Sequence, residues 1–284
     1  MRKSGMIFRW ALVALAACFA VAGCSDKRPP REQAPQSDSV VVADTLSPED
    51  SVIAEQPMPK TADELFDDFF FNFAANRKLQ LRRTLFPLPV TREGKVVKRI
   101  QRKNWQMEHF FMRQDYYTLI FDDKRQMELV KDTGVAHVTV EKIFFKTKTV
   151  EQFEFNRIRG QFMLTAIHFK PMYENKNASF LKFYEHFAAD SAFQVASMND
   201  EVTFTSPDPD DDFENQTGVI LPEQWPFFKP AIIPSGTIYN ILYGQTYRES
   251  TQKIFVIRGI ANGLEIELTF RRKDGHWKLF KFNS

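Results

Sequence analysis

Proton transfer in a protein cleft needs a carboxylate or imidazole beside a hydroxyl whose acidity burial can shift. His109, Asp115, Tyr116, Tyr117, His137 and His168 are residues of that kind. Their spacing fixes no constellation: His137 and His168 sit on separate strand candidates, and His109 lies in an aromatic segment. The five histidines lack a His-x-x-x-His pair, so no zinc or iron site is expected. Asp208, Asp210, Asp211, Asp212 and Glu214 open like a calcium loop. Phe213, however, stands where the sharp turn needs glycine, and Val219 where a bidentate glutamate closes the shell. The sequence therefore assigns no catalytic residue, no metal ligand and no cofactor.

Cysteine chemistry is confined to the start of the chain, at Cys18 and Cys24. Arg2, Lys3 and Arg9 flank an apolar run from Trp10 to Val21, shorter than the roughly 20 apolar residues that span a hydrocarbon core. It reads as the apolar core of a signal peptide covering residues 1–23. Val21-Ala22-Gly23-Cys24 resembles the lipobox of bacterial lipoproteins, which implies cleavage before Cys24 and acylation of its sulfur. Cys18 leaves with the signal, so disulfides, thiol nucleophiles and thiolate-bound metals are excluded together. The expected partner is thus a membrane, through the lipid anchor on Cys24. Ser25-Asp26-Lys27-Arg28 carries no acidic run that would export the anchor to the cell surface. The expected location is therefore periplasm-facing, on the inner membrane or the inner leaflet of the outer membrane.

Residues 24–60 read as a tether. Ser25 to Lys60 holds six prolines and no aromatic residue, a composition that cannot build a core. At about 5–6 Å times the square root of its length, such a segment reaches roughly 30–36 Å. Asp38-Ser39-Val40, Asp44-Thr45-Leu46 and Asp50-Ser51-Val52 recur every six residues. Each resembles the Asp-Ser/Thr-apolar acceptor for O-glycosylation of exported proteins in some gut anaerobes, which makes Ser39, Thr45 and Ser51 candidate acceptors; the alternative is a low-complexity linker.

Beyond Thr61 the chain repeats itself. Phe73-Ala74-Ala75-Asn76 returns as Phe187-Ala188-Ala189-Asp190, an offset of 114. Lys103-Asn104-Trp105 returns as Glu223-Gln224-Trp225, an offset of 120, and Phe155 to Gly160 with Phe162 and Leu164 returns 115 later as Phe270 to Gly275 with Trp277 and Leu279. Three matches in one order point to duplication, with units at 61–172 and 173–284.

Each unit reads helix first, then strands. Thr61 and Glu64 have capping-box spacing, and Leu65, Phe66, Phe69, Phe70 and Phe73 share one helical face. A lysine- and arginine-rich loop and a second helix over 104–114 follow, then strands near 117–121, 135–145, 151–158 and 161–169. The second unit has a helix near 177–190 and strands near 237–243, 253–261, 264–271 and 276–282. Leu264, Ile266, Leu268 and Phe270 alternate with Glu265, Glu267 and Thr269, as in a sheet with one covered face. The expected class is α+β: two tandem cone-shaped units, each with N-terminal helices packed on a curved antiparallel sheet. This outline resembles the nuclear transport factor two-like fold. With its lipobox, proline-rich tether and paired tryptophans, the chain resembles a lipoprotein family of gut anaerobes with no assigned activity. The resemblance implies fold and anchoring but no reaction.

Charge narrows the partners. Removing the signal leaves 35 basic against 36 acidic side chains, which argues against nucleic acid. Residues 61–172 hold 20 basic and 14 acidic side chains, residues 173–284 hold 11 and 15, and opposite potentials of this kind favour docking of the units or orientation of a charged ligand. With 29 Phe, 4 Trp and 7 Tyr the chain has material to line a cavity in each unit, and the matched Trp105 and Trp225 are candidate ligand-binding residues; the alternative for both is core packing. The sequence favours a membrane-anchored protein that binds a small apolar ligand or an envelope partner without turnover. The other readings are a cavity isomerase or dehydratase using a buried carboxylate or histidine, and a protein-interaction scaffold. It fixes no oligomeric state.

Overall fold

The structure, a computed structural model, describes residues 65–208, 210–247 and 250–284. The first half runs α1 (Phe66–Ala75), α2 (Arg77–Arg82), β1 (Leu88–Arg92), β2 (Lys95–Ile100), β3 (Tyr116–Phe121), a single helical turn α3 (Lys124–Met127), β4 (His137–Phe144), β5 (Thr149–Ile158) and β6 (Gln161–Pro171). The second runs α4 (Ala178–Ala189), α5 (Ser191–Ala196), β7 (Met198–Asp208), β8 (Asp211–Ile220), α6 (Trp225–Phe228), β9 (Thr237–Leu242), β10 (Gln252–Gly259), β11 (Glu265–Lys273) and β12 (His276–Asn283).

Helix α1 forms because Phe66, Phe69, Phe70 and Phe73 recur at helical spacing and all are buried. Burying one such ring contributes about 1.5–3 kcal/mol, so the stripe fixes the helix to the sheet. The chain then breaks at Asn76, whose side-chain oxygen accepts from the N–H groups of Lys78 and Leu79 and starts α2. Asp190 does the same for α5, accepting from Ala192 and Phe193, after α4 has buried Phe180, Tyr184 and Phe187. The repeat thus extends to the joint between helices.

The twelve strands form one sheet in the order β2-β1-β6-β5-β4-β9-β3-β10-β11-β12-β7-β8. Pairing is antiparallel except at β1–β6, β3–β9 and β12–β7. Matching the strands by chain order makes the sheet a palindrome, with one irregularity of location: β9 borders β4 and β3 borders β10, so each half's third strand lies beside the other half's fourth. The turns repeat as well. Arg159-Gly160 and Asp274-Gly275 have positive φ at both residues and close two-residue hairpins, the geometry that matches strand twist.

Two aromatic cores lie on opposite faces. Along β4, Val138 and Val140 join the core under α1, while Ile143 joins the core under α4. Along β10, Ile254 and Val256 feed the first and Phe255 and Ile257 the second. The central strands are therefore buried on both sides, which explains the unbroken apolar run Ile254 to Ile257. Equivalent rings meet in equivalent geometry: Phe73 and Phe155 lie 5.3 Å apart at 87°, Phe187 and Phe270 5.1 Å apart at 86°.

Three elements differ from the sequence reading. The lysine- and arginine-rich loop is the hairpin β1–β2, and the acidic run at 208–214 belongs to the hairpin β7–β8. The helix expected at 104–114 is a pair of 3-10 turns, Arg102–Asn104 and Phe110–Arg113. Phe110 has φ 48°, a left-handed backbone that a continuous α-helix does not contain, and Phe110 and Phe111 are both buried. Thr61 and Glu64 lie outside the described residues.

Candidate functional site

Along β1, β5 and β6, Val90, Phe153, Phe155, Phe162 and Leu164 join the core under α1, and polar residues alternate with them toward the opposite face. There β1, β6 and β5 bring Thr91, His168 and Glu154 together, since Thr91 pairs with His168 across β1–β6 and Glu154 is on the next strand. Thr91 Oγ1 lies 2.6 Å from His168 Nδ1, and His168 Nε2 lies 2.9 Å from Glu154 Oε2. That hydrogen bond, with a second from Asn156, holds the Glu154 carboxyl down to about 2 against the cost of desolvation. An ionised Glu154 accepts from His168 Nε2–H, which leaves Nδ1 facing the Thr91 hydroxyl. The array continues on the other side: Asn156 donates to Glu154 Oε1 and Thr165 Oγ1, and its own oxygen faces His137 Nδ1 at 2.9 Å. Hydroxyl, imidazole and carboxylate in series can activate a nucleophile. On an open sheet face, with His168 and Glu154 side chains 24% and 31% exposed, the same series offers a rigid set of hydrogen-bonding groups to a partner.

A second constellation pins α1. Asp67, in its first turn, accepts from Tyr117 Oη (3.3 Å) and Tyr243 Oη (2.5 Å), the latter from the second half. Burial pushes the Asp67 carboxyl up, opposed by Tyr243, Arg258 and Tyr117. Burial likewise pushes both phenols up. Arg258 Nε in turn donates to Glu265 Oε2 at 2.8 Å. A proton-accepting carboxyl between two phenols is the residue set that a proton-transfer site requires.

The third lies in the seam where β4 meets β9. Glu141, buried among apolar strands, accepts from Gln152 Nε2, Asn175 Nδ2 and Asn240 Nδ2 at 2.8–2.9 Å. Desolvation pushes its carboxyl up. Close by, Lys253 Nζ donates to Asp122 and to Asn177 Oδ1, and burial lowers the Lys253 ammonium. These bonds fix both amides: Asn177 must turn Nδ2 away from Lys253, and Asn240 must turn Oδ1 away from Glu141. Both outward atoms are buried and lie beside Tyr247.

Trp105 and Trp225 are buried, and each indole N–H donates to a buried glutamine, Gln80 and Gln194 respectively, at 3.1 Å. The glutamines are themselves 114 residues apart. Cys24, Ser39, Thr45 and Ser51 lie outside the described residues. Among the histidine and tyrosine candidates, the structure joins His168 and His137 through Glu154 and Asn156, and Tyr117 to Asp67. His109 flanks the 3-10 turn at Phe110, and Asp115 turns the chain into β3 with φ 59°. Sequence reasoning passed over Glu154, Asp67, Glu141 and Lys253. Only strand register could have flagged Glu154, which falls on the His168 side of β5.

The helix-backed curved sheet with its parallel β1–β6 and β12–β7 pairings defines an α+β protein of the nuclear transport factor two-like class. A crystal structure of an NTF2-like protein from Bacteroides fragilis superimposes with a TM-score of 0.73 at 43% identity, covering 80% of this chain and 98% of that one. The chain belongs to the family described as domain of unknown function DUF4348, which matches residues 45–284. No curated protein matches it.

Proposed function

We propose that this chain is a lipid-anchored envelope protein that acts by binding, and that the polar face carrying Thr91, His168, Glu154, Asn156 and His137 is where its partner sits. The observation that carries the reading is the packing of the two cores. Rings occupy the space between helices and sheet, as where Phe66 contacts Phe70, Phe155 and Phe162 at 5.1–5.4 Å. Recognition then falls to the surface, and the first half's uncovered face presents side chains already held in place, so a partner orders few of them on binding. The partner is an envelope protein with exposed hydrogen-bonding groups. The anchor follows from the lipobox at Cys24, and the tether gives the folded body its reach.

The test is cross-linking in the native host, with the chain isolated from membranes. A partner captured by the wild-type chain should be lost with His168→Ala and Glu154→Ala and kept with Lys182→Ala, an exposed change on α4. Equal capture by all four chains refutes the placement of the site. Mass spectrometry of the same material should show diacylglycerol on Cys24; a free thiol there refutes the anchor.

Asp67 favours a second reading, a proton-transfer enzyme. Under it, Asp67→Asn would abolish turnover of an acidic carbon substrate while leaving partner capture intact.

A further inference from the structure

The sheet ends in two open strands that are the same element of the two halves, because β2 follows β1 as β8 follows β7. Each pairs along one side only, leaving a row of backbone N–H and C=O groups on the other. In β2 every residue from Lys95 to Arg99 is exposed, and in β8 every residue from Glu214 to Val219. Edges of this kind are templates for another strand, and soluble proteins normally blunt them with charge.

Here the two edges carry opposite charge. Residues 88–103 hold six basic side chains and Glu93 alone as an acid, whereas residues 198–221 hold seven acidic side chains and no base. Two β2 edges brought together would set positive against positive, and two β8 edges negative against negative. Only the unlike pairing is attractive, so charge selects the partner as well as protecting the edge. Val96, Val97 and Val219, each more than half exposed, add apolar contact along the same strands.

We propose that a second copy of this chain is the partner of these edges: the acidic strand β8 of one molecule adds to the basic strand β2 of the next and continues the sheet. Each molecule has one edge of each kind, so the contact is head to tail and propagates into chains or closes into rings. It uses neither the polar face of the first half nor the lipid anchor.

Sedimentation velocity on the full chain carrying Cys24→Ser tests this at low and high ionic strength. At low ionic strength, species larger than a monomer should grow with concentration. High salt should disperse them, since screening at 0.1 M acts over about 10 Å. Lys95→Glu/Lys98→Glu/Arg99→Glu makes both edges acidic, and Asp210→Lys/Asp211→Lys/Asp212→Lys/Glu214→Lys makes both basic; each variant alone should be monomeric. Mixed in equal amounts, the two should assemble again, because every acidic edge then meets a basic one. A wild-type chain that stays monomeric at low salt overturns the proposal, as does a charge-reversed variant that self-associates like wild type or a mixture that fails to assemble.

Discussion

Acid titration of Glu154 tests the polar array quantitatively. Its carboxyl is held at about 2 instead of the ordinary 4.5, first by the His168 hydrogen bond. By linkage a difference of that size corresponds to ~3 kcal/mol, and because the group is partly solvated, screening reduces this to about 1–2 kcal/mol. The folded-state value is the depressed one, so the contribution is present above pH 4.5 and is lost as pH falls toward 2. Urea unfolding at steps from pH 7 to pH 2 should therefore show wild type losing about 1–2 kcal/mol more than Glu154→Gln, which has no proton to take up at that position. His168→Ala should fall between the two, since the Asn156 bond remains. Identical pH profiles for wild type and Glu154→Gln would refute the argument that His168 and Asn156 stabilise the ionised carboxyl.

Glu141 carries the opposite sign. Its folded value is raised, so wild-type stability should decline as pH rises through that value, and Glu141→Gln, which puts an amide among three amide donors, should flatten the dependence while costing about 1–3 kcal/mol by chemical denaturation. Lys253→Met removes the ammonium that pairs with Asp122 in the core and should cost about 3–5 kcal/mol; adding Asp122→Leu should recover part of it, which a double-mutant cycle measures. Trp105→Phe and Trp225→Phe each remove one donor from a buried glutamine oxygen and should destabilise by about 1–3 kcal/mol, Trp105→Phe by the smaller amount because the Gln80 oxygen keeps the Glu108 N–H. Phe73→Ala and Phe187→Ala should each cost about 3–5 kcal/mol, and their effects should add because they lie in separate cores.

The duplicated frame was legible because burial writes a period into the sequence. Phe66 to Phe73 reads as a helix stripe, Leu264 to Phe270 as a one-sided strand, and both proved to be so. The hairpins β1–β2 and β7–β8 were not legible, because an edge strand exposed on both faces needs no apolar alternation and its charges read as loop. The crossing of β3 and β9 into the opposite half leaves no trace at all, since their residues are apolar either way and only long-range pairing decides which neighbour each strand takes. The polar array was half visible. His168 and His137 stood out by type, but their junction through Glu154 and Asn156 depends on a register that shifts at the bulge between Glu154 and Phe155. Trp105 and Trp225 were correctly paired by position, and the structure adds the glutamine each one meets.

Native mass spectrometry of the chain isolated from its own host addresses the binding account most directly. The account predicts a body that carries no small molecule within its aromatic cores and co-isolates an envelope protein, whose signal disappears with His168→Ala. A retained small ligand, or a partner signal that His168→Ala leaves unchanged, would contradict it.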